Sequence, residues 1–495
     1  MKRILIANRG EIAIRFARTF REMGIESVAV YAAGEEASPH VRYADFAELL
    51  PGSTTAQTYL NIEAILAAAS RSQADAIAPG YGFLSENADF AEACERHGLT
   101  FLGPSPNAIR TMGSKTAARE AMSAAGVPLV PGGPADDLEQ ARQTAQALGY
   151  PVFIKARAGG GGKGMRRVTA EAQLEPAYEV AKSEAERAFG DSTVYLEKAL
   201  IRPRHVEIQV LGDTFGNVVH LFERDCSIQR RHQKIVEESP SPLLSRAVVE
   251  RMGAIAVQGA KAVGYYSAGT FEFLVDEAEN FYFLEMNTRL QVEHPITELV
   301  TGFDLVREMV RVANGEALGF NQEAIVARGA AIECRVYAED PDRGFLPSPG
   351  LIRELREPGG PGVRNDSGVA GGATISELYD PLMSKLCVWA PTRAVALARM
   401  RAALKAYVVV GPTTNLKFHE RLLQHPSFER GEYYTSFVEE NLAALTCNEA
   451  PIAERAREVA VAIAAALFQA ESVAQPTRPA AEGLSPWVAA HRRRM

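Results

Sequence analysis

Short apolar runs alternate with helix-spaced segments through the first hundred residues, and this alternation constrains the fold more than any other feature. Apolar runs lie at residues 3–7, 27–31, 76–78 and 100–102, and helical spacing lies at 10–23, 58–69 and 86–97. A crossover helix between successive strands makes those strands parallel. The pattern therefore predicts a helix-covered parallel sheet over residues 1–103. A dinucleotide-binding fold is the alternative, but no Gly-x-Gly-x-x-Gly motif follows the first strand.

The rest of the chain divides by its pattern into four segments and a tail. We expect a helical linker over 104–129, a small module with two glycine-loop strands over 130–203, a strand-rich region over 204–329, a mixed region over 330–446 and an Ala-rich peripheral tail over 447–495. The expected fold class is therefore α/β and α+β multidomain, with a C-terminal mixed β domain.

The composition is that of an ordinary globular protein of 495 residues with a formal net charge of −8. This charge argues against general binding to nucleic acid. The five cysteines are scattered and form no Cys-x-x-Cys pair, which indicates reduced thiols rather than a disulfide framework or a zinc site. No apolar stretch has the length of a signal peptide or a membrane span, so we expect a cytoplasmic protein without a membrane partner.

Polar and apolar residues alternate between positions 285 and 293. The polar members are Glu285, Asn287, Arg289, Gln291 and Glu293. An extended backbone would place all five on one side, where they suit a divalent cation together with an anionic substrate. The alternative is an ordinary half-exposed strand with its polar face in water.

A second carboxylate favours the cation. Residues 270–275 and 281–285 have the pattern of two strands, and residues 276–280 have that of a turn, so a hairpin would bring Glu272 beside Glu285. Two adjacent carboxylates repel each other unless a cation lies between them. Oxygen ligands with an amide nearby indicate Mg²⁺ or Mn²⁺ shared with phosphate oxygens.

Four consecutive glycines, residues 159–162, lie between two strand-like segments. Their unshielded backbone N–H groups could wrap an anion as a hairpin flap, although a flexible linker is an equally good interpretation. The spacing is not that of a Walker A loop, because Gly164 stands where Ser or Thr is needed. Lys155, in the preceding strand, favours the flap, since an interior lysine needs a partner such as a phosphate.

Other candidates are weaker when each is taken alone. Lys115 begins an amphipathic helix, residues 197–200 end a strand at a possible hinge, and His205 and Glu207 share one strand face. Residues 230–234 form a basic cluster that fits either a salt-bridged surface loop or an anion site. Arg335 lies within an apolar strand, where an arginine often faces a carboxylate or a ligand.

Together these motifs resemble those of biotin carboxylases, which have the ATP-grasp fold, over residues 1–445. The matching segments are 6–13, 79–87, the glycine flap, 204–209, 223–227, 230–234, 285–295 and 345–350. Ala78 departs from the resemblance, because the family often has His at this position.

The resemblance implies a role for each matched residue. The ATP-binding residues would be Lys115, Lys155, Gly161, Gly162, Glu197, Lys198, Ala199, Leu200, His205 and His232. Glu272, Glu285 and Asn287 would bind Mg²⁺ or Mn²⁺ at two sites. Bicarbonate would be held by Lys234, Arg289, Gln291, Val292 and Arg335. Glu293 would be the general base, and Arg335 would also contact biotin. Arg18, Glu22 and Arg364 match a twofold dimer interface.

The same resemblance implies a reaction and its partners. ATP would activate bicarbonate as carboxyphosphate, and biotin would then be carboxylated. The chain contains no Ala-Met-Lys-Met biotinylation site, so we expect a separate biotinylated carrier protein and a carboxyltransferase subunit. The acceptor would be acetyl-CoA, as in fatty acid biosynthesis, or another acyl-CoA, with pyruvate also possible. The alternatives are a different ATP-grasp ligase and an inactive scaffold subunit.

Overall fold

Residues 3–101 of the computed structural model form the predicted parallel sheet. The strands are β1 (Arg3–Ile6), β2 (Glu26–Tyr31), β3 (Phe46–Leu49), β4 (Ala76–Ala78) and β5 (Thr100–Phe101), in the order β3-β2-β1-β4-β5. The helices are α1 (Gly10–Glu22), α2 (Pro39–Tyr43), α3 (Ile62–Ser72) and α4 (Ala88–Arg96). The sequence pattern does not predict β3, which is an exposed edge strand without an apolar run.

The structure describes residues 1–156, 165–189, 191–446 and 463–464. Most of the glycine flap, including Gly161 and Gly162, and nearly all of the predicted tail therefore lie outside the described residues. Residues 1–446 form one compact unit. Within the described residues, no helix combines the length and the apolar character needed to cross a membrane.

Two helices and a four-stranded antiparallel sheet follow the parallel sheet. The helices α5 (Pro106–Gly113) and α6 (Lys115–Ala124) lie in the predicted linker, and each is capped by a serine hydroxyl that accepts a backbone N–H. The sheet has the order β6-β9-β7-β8 and is covered by two helices. These elements are β6 (Gly132–Pro134), α7 (Leu138–Leu148), β7 (Val152–Ala156), β8 (Met165–Val168), α8 (Leu174–Phe189) and β9 (Val194–Lys198).

An eight-stranded antiparallel sheet occupies the centre of the chain. Its order is β14-β13-β10-β11-β12-β15-β22-β20. The strands are β10 (Arg204–Gly212), β11 (Val218–Arg230), β12 (Gln233–Ser239), β13 (Ser267–Val275), β14 (Phe281–Asn287), β15 (Ala330–Tyr337), β20 (Val363–Ser367) and β22 (Leu382–Ala390). Because β12 pairs with β15, one sheet continues across residue 330, where the sequence pattern predicts a domain boundary.

The remaining elements surround this sheet. The helices are α9 (Arg246–Ala262), α10 (His294–Thr301), α11 (Leu305–Ala313), α12 (Arg393–Ala406), α13 (Leu416–Gln424), α14 (Pro426–Arg430), α15 (Phe437–Glu440) and α16 (Leu442–Leu445). The short strands are β16 (Glu339–Asp340), β17 (Leu346–Pro347), β18 (Gly350–Leu351), β19 (Glu354–Arg356), β21 (Thr374–Ile375) and β23 (Val408–Val410). This arrangement confirms the expected fold class of a parallel-sheet region followed by mixed α+β structure.

The two faces of β15 have opposite chemistry, and this difference positions the site. Ile332, Cys334 and Val336 belong to the apolar core that includes α12. Alternate residues point to the other face, which carries Glu333 and Arg335 and lies against α10. The sheet therefore has an apolar face that stabilises it and a charged face that is available for chemistry.

Candidate active site

Glu272 and Glu285 lie directly opposite each other on β13 and β14. Residues paired in this way point to the same face of an antiparallel sheet, so the predicted hairpin and its carboxylate pair are confirmed. The register shifts by one residue immediately after the pair, and the extra residue, Leu284, is exposed. The Glu285 side chain reaches solvent, but partial desolvation of its carboxyl group by the surrounding protein and the neighbouring Glu272 carboxylate raise the pKa of Glu285.

The predicted strand over residues 285–293 is wrong beyond Asn287, where β14 ends. The backbone N–H of Thr288 donates to the Glu86 carboxylate at 3.0 Å instead of to a neighbouring strand. The chain then turns, and Pro295 lies in the first turn of α10. The alternation of polar residues after Asn287 is thus not the alternation of a strand.

The polar side chains of this segment nevertheless meet. Arg289 donates to Asn287 Oδ1 at 3.0 Å and to Gln291 Oε1 at 3.2 Å. The amide of Gln291 lies 3.3 Å from Glu272 Oε1, and the amide of Asn287 donates to the same oxygen at 2.8 Å. These polar side chains therefore lie close together, as predicted, but hydrogen bonds within a loop bring them together and not the alternation of a strand.

Lys234 lies at the centre of the site and contacts three carboxylates. Its Nζ is 2.5 Å from Glu207, 2.7 Å from Glu272 and 2.8 Å from Glu293. Burial alone would lower the pKa of Lys234, but the three carboxylates outweigh it and raise that pKa well above its ordinary value. Lys234 is therefore a fixed positive charge, and the salt-bridged surface loop is the wrong interpretation for this member of the basic cluster.

Glu293 is fully buried immediately before α10 and accepts from two cations, Lys234 and Arg335. Arg335 Nη2 lies 3.0 Å from Glu293 Oε2. Burial would raise the pKa of Glu293, but Lys234, Arg335 and Arg224 hold it well below the ordinary range. The carboxylate is therefore ionised, the form that a general base needs, and its cationic partners weaken it as a proton acceptor while they contact it.

Arg335 faces carboxylates, as its position in an apolar strand predicts. Besides Glu293, it donates to Glu237 on the adjacent strand at 2.6 Å. Its own backbone carbonyl accepts from Asn415 at 2.9 Å and lies 2.8 Å from His419 Nε2. The guanidinium is thus fixed by Glu237 on β12 and by Glu293, and the backbone of Arg335 is fixed by Asn415 and by His419 in α13.

Several residues that position the site were not identified from the sequence. The fully buried Arg224 donates to Glu207 at 2.5 Å and to Gln209 at 2.7 Å. The fully buried Lys385 donates to the Val292 carbonyl at 2.9 Å and lies 3.2 Å from Glu11. A charged residue inside an apolar strand was the available signal for Lys385, the same signal that identified Arg335, whereas Arg224 lies between Glu223 and Asp225 and gave no such signal.

Five of the predicted ATP-binding residues lie in the small sheet or directly after its strand β9. Lys155 is half-buried and pairs with Glu197, so its partner in this structure is a carboxylate. The backbone of Lys198 and that of Ala199 donate to carbonyls of Pro131 and Pro151, and Leu200 follows the end of β9.

Among the described residues, the other three ATP-binding candidates lie at separate positions. His205 Nε2 is 2.8 Å from Glu272 Oε2. This contact connects a predicted ATP-binding residue with a predicted metal ligand. Lys115 is exposed at the start of α6, and His232 is exposed in the turn between β11 and β12.

Three models of known protein families match most of residues 1–440 of this chain. Residues 1–109 match the family described as "Biotin carboxylase, N-terminal domain", and residues 333–440 match "Biotin carboxylase C-terminal domain". Residues 114–321 match "Carbamoyl-phosphate synthase L chain, ATP binding domain".

Two curated relatives are similar to almost the whole chain. The biotin carboxylase of Nostoc sp. is 51% identical over 440 residues, which cover 88% of this chain and 98% of that protein. A pyruvate carboxylase subunit of Methanothermobacter thermautotrophicus is 48% identical over 474 residues, 95% of this chain and 96% of that protein.

Solved structures agree with these relatives. A biotin carboxylase–β,γ-ATP complex from Campylobacter jejuni has a TM-score of 0.82 at 48% identity and covers 89% of this chain and 98% of its own. The biotin carboxylase domain dimer of Hydrogenobacter thermophilus 2-oxoglutarate carboxylase, solved with MgADP and bicarbonate, has a TM-score of 0.83 at 48% identity, with 90% and 99% coverage. The chain belongs to the biotin carboxylase family.

Proposed function

We propose that this chain uses ATP and bicarbonate to carboxylate biotin carried by a separate protein, with carboxyphosphate as the intermediate. The observation that carries the proposal is the position of Glu293 between Lys234 and Arg335. An ionised carboxylate held between two cations, beside a pair of acidic residues, suits the activation of a small anion at the phosphate end of a nucleotide.

In the first step, Glu293 takes the proton of bicarbonate. The freed oxygen attacks the γ-phosphorus, its bond to the ADP oxygen breaks, and ADP leaves with that electron pair. Lys234, Arg289, Gln291, Arg335 and the Val292 backbone would hold the bicarbonate. The hydrogen bond from Lys385 to the Val292 carbonyl fixes this segment.

Glu272, Glu285 and Asn287 would bind the divalent cations. The group fits Mg²⁺ or Mn²⁺, because it offers carboxylate and amide oxygens and its two paired carboxylates repel each other. Bound ions would neutralise charge on the nucleotide phosphates. We propose two such ions.

In the second step, carboxyphosphate separates into CO₂ and phosphate. The phosphate takes the proton from biotin N1, and N1 attacks CO₂. Negative charge develops on the ureido oxygen during this attack, and Arg335 would stabilise it, a contact worth about 3–4 kcal/mol by analogy with oxyanion-hole donors. Arg335 would thus serve both steps from a fixed position.

We propose that ATP is bound by the candidates from the sequence: Lys115, Lys155, Gly161, Gly162, Glu197 to Leu200, His205 and His232. The ion pair between Lys155 and Glu197 supports this role, because it holds the lysine near the end of β7, the strand that leads toward the glycine-rich segment. A phosphate that contacts Lys155 would compete with Glu197 for the ammonium. Lys155 would then be shared between the protein and the nucleotide.

The partners would be a second copy of this chain, a biotinylated carrier protein and a carboxyltransferase. Arg18 and Glu22 on α1 have side chains that are 46% and 66% exposed, which supports a contact between copies. Arg364 is more covered and pairs with Glu298 and Asp366, both at 2.7 Å. The relatives include both pyruvate and methylcrotonoyl-CoA carboxylase subunits, so capture of the biotinylated partner would identify the acceptor.

An ATPase assay with free biotin tests the proposal. We expect ATP cleavage to require bicarbonate and to increase when biotin is added, with carboxybiotin as the product. A different ATP-grasp ligase would cleave ATP without responding to biotin, and an inactive scaffold would not cleave it under either condition.

A further inference from the structure

Glu237 and Glu333 form a second pair of facing carboxyl groups, distinct from the Glu272–Glu285 pair. They lie directly opposite each other on β12 and β15, and both are fully buried. Side chains opposite each other in an antiparallel sheet have Cβ atoms about 4.5–5.5 Å apart. Two charged carboxylates at this distance in the protein interior would repel each other strongly.

Each member of the pair has one oxygen that lacks a hydrogen-bond partner. These buried atoms are Glu237 Oε2 and Glu333 Oε1. Buried carboxyl oxygens are normally satisfied, and a proton between two of them satisfies both. The other oxygens are occupied, because Glu237 Oε1 accepts from Arg335 at 2.6 Å and Glu333 Oε2 lies 3.3 Å from the Cys387 thiol.

The surrounding charges place the proton on Glu333. Glu237 has the Arg335 guanidinium as its counter-ion, whereas no ion pair within 4.0 Å involves Glu333 among the described residues. The charged or titratable groups that interact with the pair from this side of the sheet are Arg335, Lys234, Glu293, Lys385, Cys387, Cys226 and Tyr337. Lys385 is already occupied by Glu11 and the Val292 carbonyl.

The electrostatic environment agrees with this geometry. Burial, opposed by Arg335 and reinforced by Glu293, raises the pKa of Glu237 to about 7. The pKa of Glu333 is well above its ordinary value, mainly because the group is buried and also because Glu237 lies beside it. The positive charges of Lys385 and Arg335 oppose this increase but do not cancel it. Both shifts favour a protonated carboxyl group in the pair.

We infer that Glu333 holds a proton that it donates to Glu237, and that this shared proton fixes the carboxylate that orients Arg335. Glu333 is thus a positioning residue that acts through Glu237. The effect on turnover rests on the role of Arg335 in the proposed function, whereas the shared proton does not.

Three variants separate this inference from a packing role. Glu333→Gln keeps a donor toward Glu237, because its amide N–H replaces the carboxyl O–H. Glu333→Leu removes the donor, and Glu237→Gln removes the anion that Arg335 contacts. We expect Glu333→Gln to retain the wild-type kcat/KM for biotin. We expect the other two variants to lose about 10- to 100-fold, the effect of one hydrogen bond to a charged group.

Infrared spectroscopy provides a readout that does not require activity. Because other buried carboxyl groups of this chain also have raised pKa values, the readout is the difference spectrum between the wild-type protein and Glu333→Gln at neutral pH. This difference should contain the carbonyl band of one buried protonated carboxylic acid. Absence of that difference band would overturn the inference, and so would equal losses of kcat/KM in Glu333→Gln and Glu333→Leu. If the band behaves as expected but no variant or wild-type sample responds to biotin, the proposed function fails and the shared proton stands.

Discussion

Lys234 Nζ lies 2.8 Å from Glu293 Oε1, and the same ammonium contacts Glu207 and Glu272 on two neighbouring strands. This one cation therefore connects the proposed general base to Glu272, one of the two proposed metal-binding carboxylates. The geometry explains how several buried acids remain ionised in one small volume. It also means that the charge of Lys234 affects both stability and chemistry.

Replacing Glu293 with Gln should abolish most turnover without unfolding the protein. The amide has nearly the shape of the carboxylate but cannot accept the bicarbonate proton, so we expect biotin-dependent ATP cleavage to fall about 100- to 10,000-fold. Steady-state assays measure this loss, and the exposed Glu323→Gln is the matched control. Unchanged turnover in Glu293→Gln would show that another group is the base.

Replacing Lys234 with Met should destabilise the fold. The change leaves Glu207, Glu272 and Glu293 buried without their shared cation, and loss of one partner of a buried ion pair costs about 3–5 kcal/mol. Urea denaturation should show this decrease in the free energy of unfolding. Lys261→Met, at the exposed end of α9, should leave it nearly unchanged. Equal stability of the two variants is the result that contradicts the account.

The free energy of unfolding should fall as the pH drops below the ordinary glutamate range. Burial opposes ionisation of Glu272 and Glu293, but Lys234 and its neighbours outweigh it and lower the pKa of both groups. The unfolded chain, with glutamate pKa values near ~4.3, therefore binds these protons first. This stabilisation is present at neutral pH and is lost as the pH falls from about 5 through the folded-state pKa values.

Urea unfolding across this acidic range measures the effect. Lys234→Met should show a shallower dependence on pH than the wild-type protein, because its carboxylates have lost the cation that lowers their pKa values. Parallel curves for the two proteins would indicate that Lys234 does not control these groups.

Replacing Glu285 with Gln should raise the Mg²⁺ concentration needed for activity. A neutral amide is a weaker ligand than a carboxylate, and we expect an increase of about tenfold or more. A titration of ATP cleavage with Mg²⁺ gives this value. Glu277→Gln lies in the exposed turn of the same hairpin and serves as the control. If both variants need the same Mg²⁺ concentration for activity, Glu285 is not a ligand of the metal.

The sequence predicted correctly those parts of the site whose residues are close together in the chain. The Glu272–Glu285 hairpin follows from two strand patterns and a turn within about 15 residues, and the structure confirms it. The strand beyond Asn287 failed because Glu86, about 200 residues away in sequence, accepts the Thr288 N–H. Nothing in the spacing near Thr288 indicates that contact.

The contacts of the central cation also could not be predicted from the sequence. Lys234 reaches Glu207, Glu272 and Glu293 only because β10, β12, β13 and the start of α10 meet in the folded chain. Its position within a basic cluster was visible, but the three acids lie in separate motifs. The family resemblance supplied roles for these residues, and the structure supplied their contacts.

The most direct test follows oxygen from bicarbonate into phosphate. If bicarbonate is activated as carboxyphosphate, bicarbonate labelled with heavy oxygen should transfer label to the inorganic phosphate formed in the presence of biotin. We predict about one labelled oxygen per phosphate, since one bicarbonate oxygen forms the bond to the γ-phosphorus. Biotin-dependent ATP cleavage that yields unlabelled phosphate would contradict the account, because water would then be the attacking group.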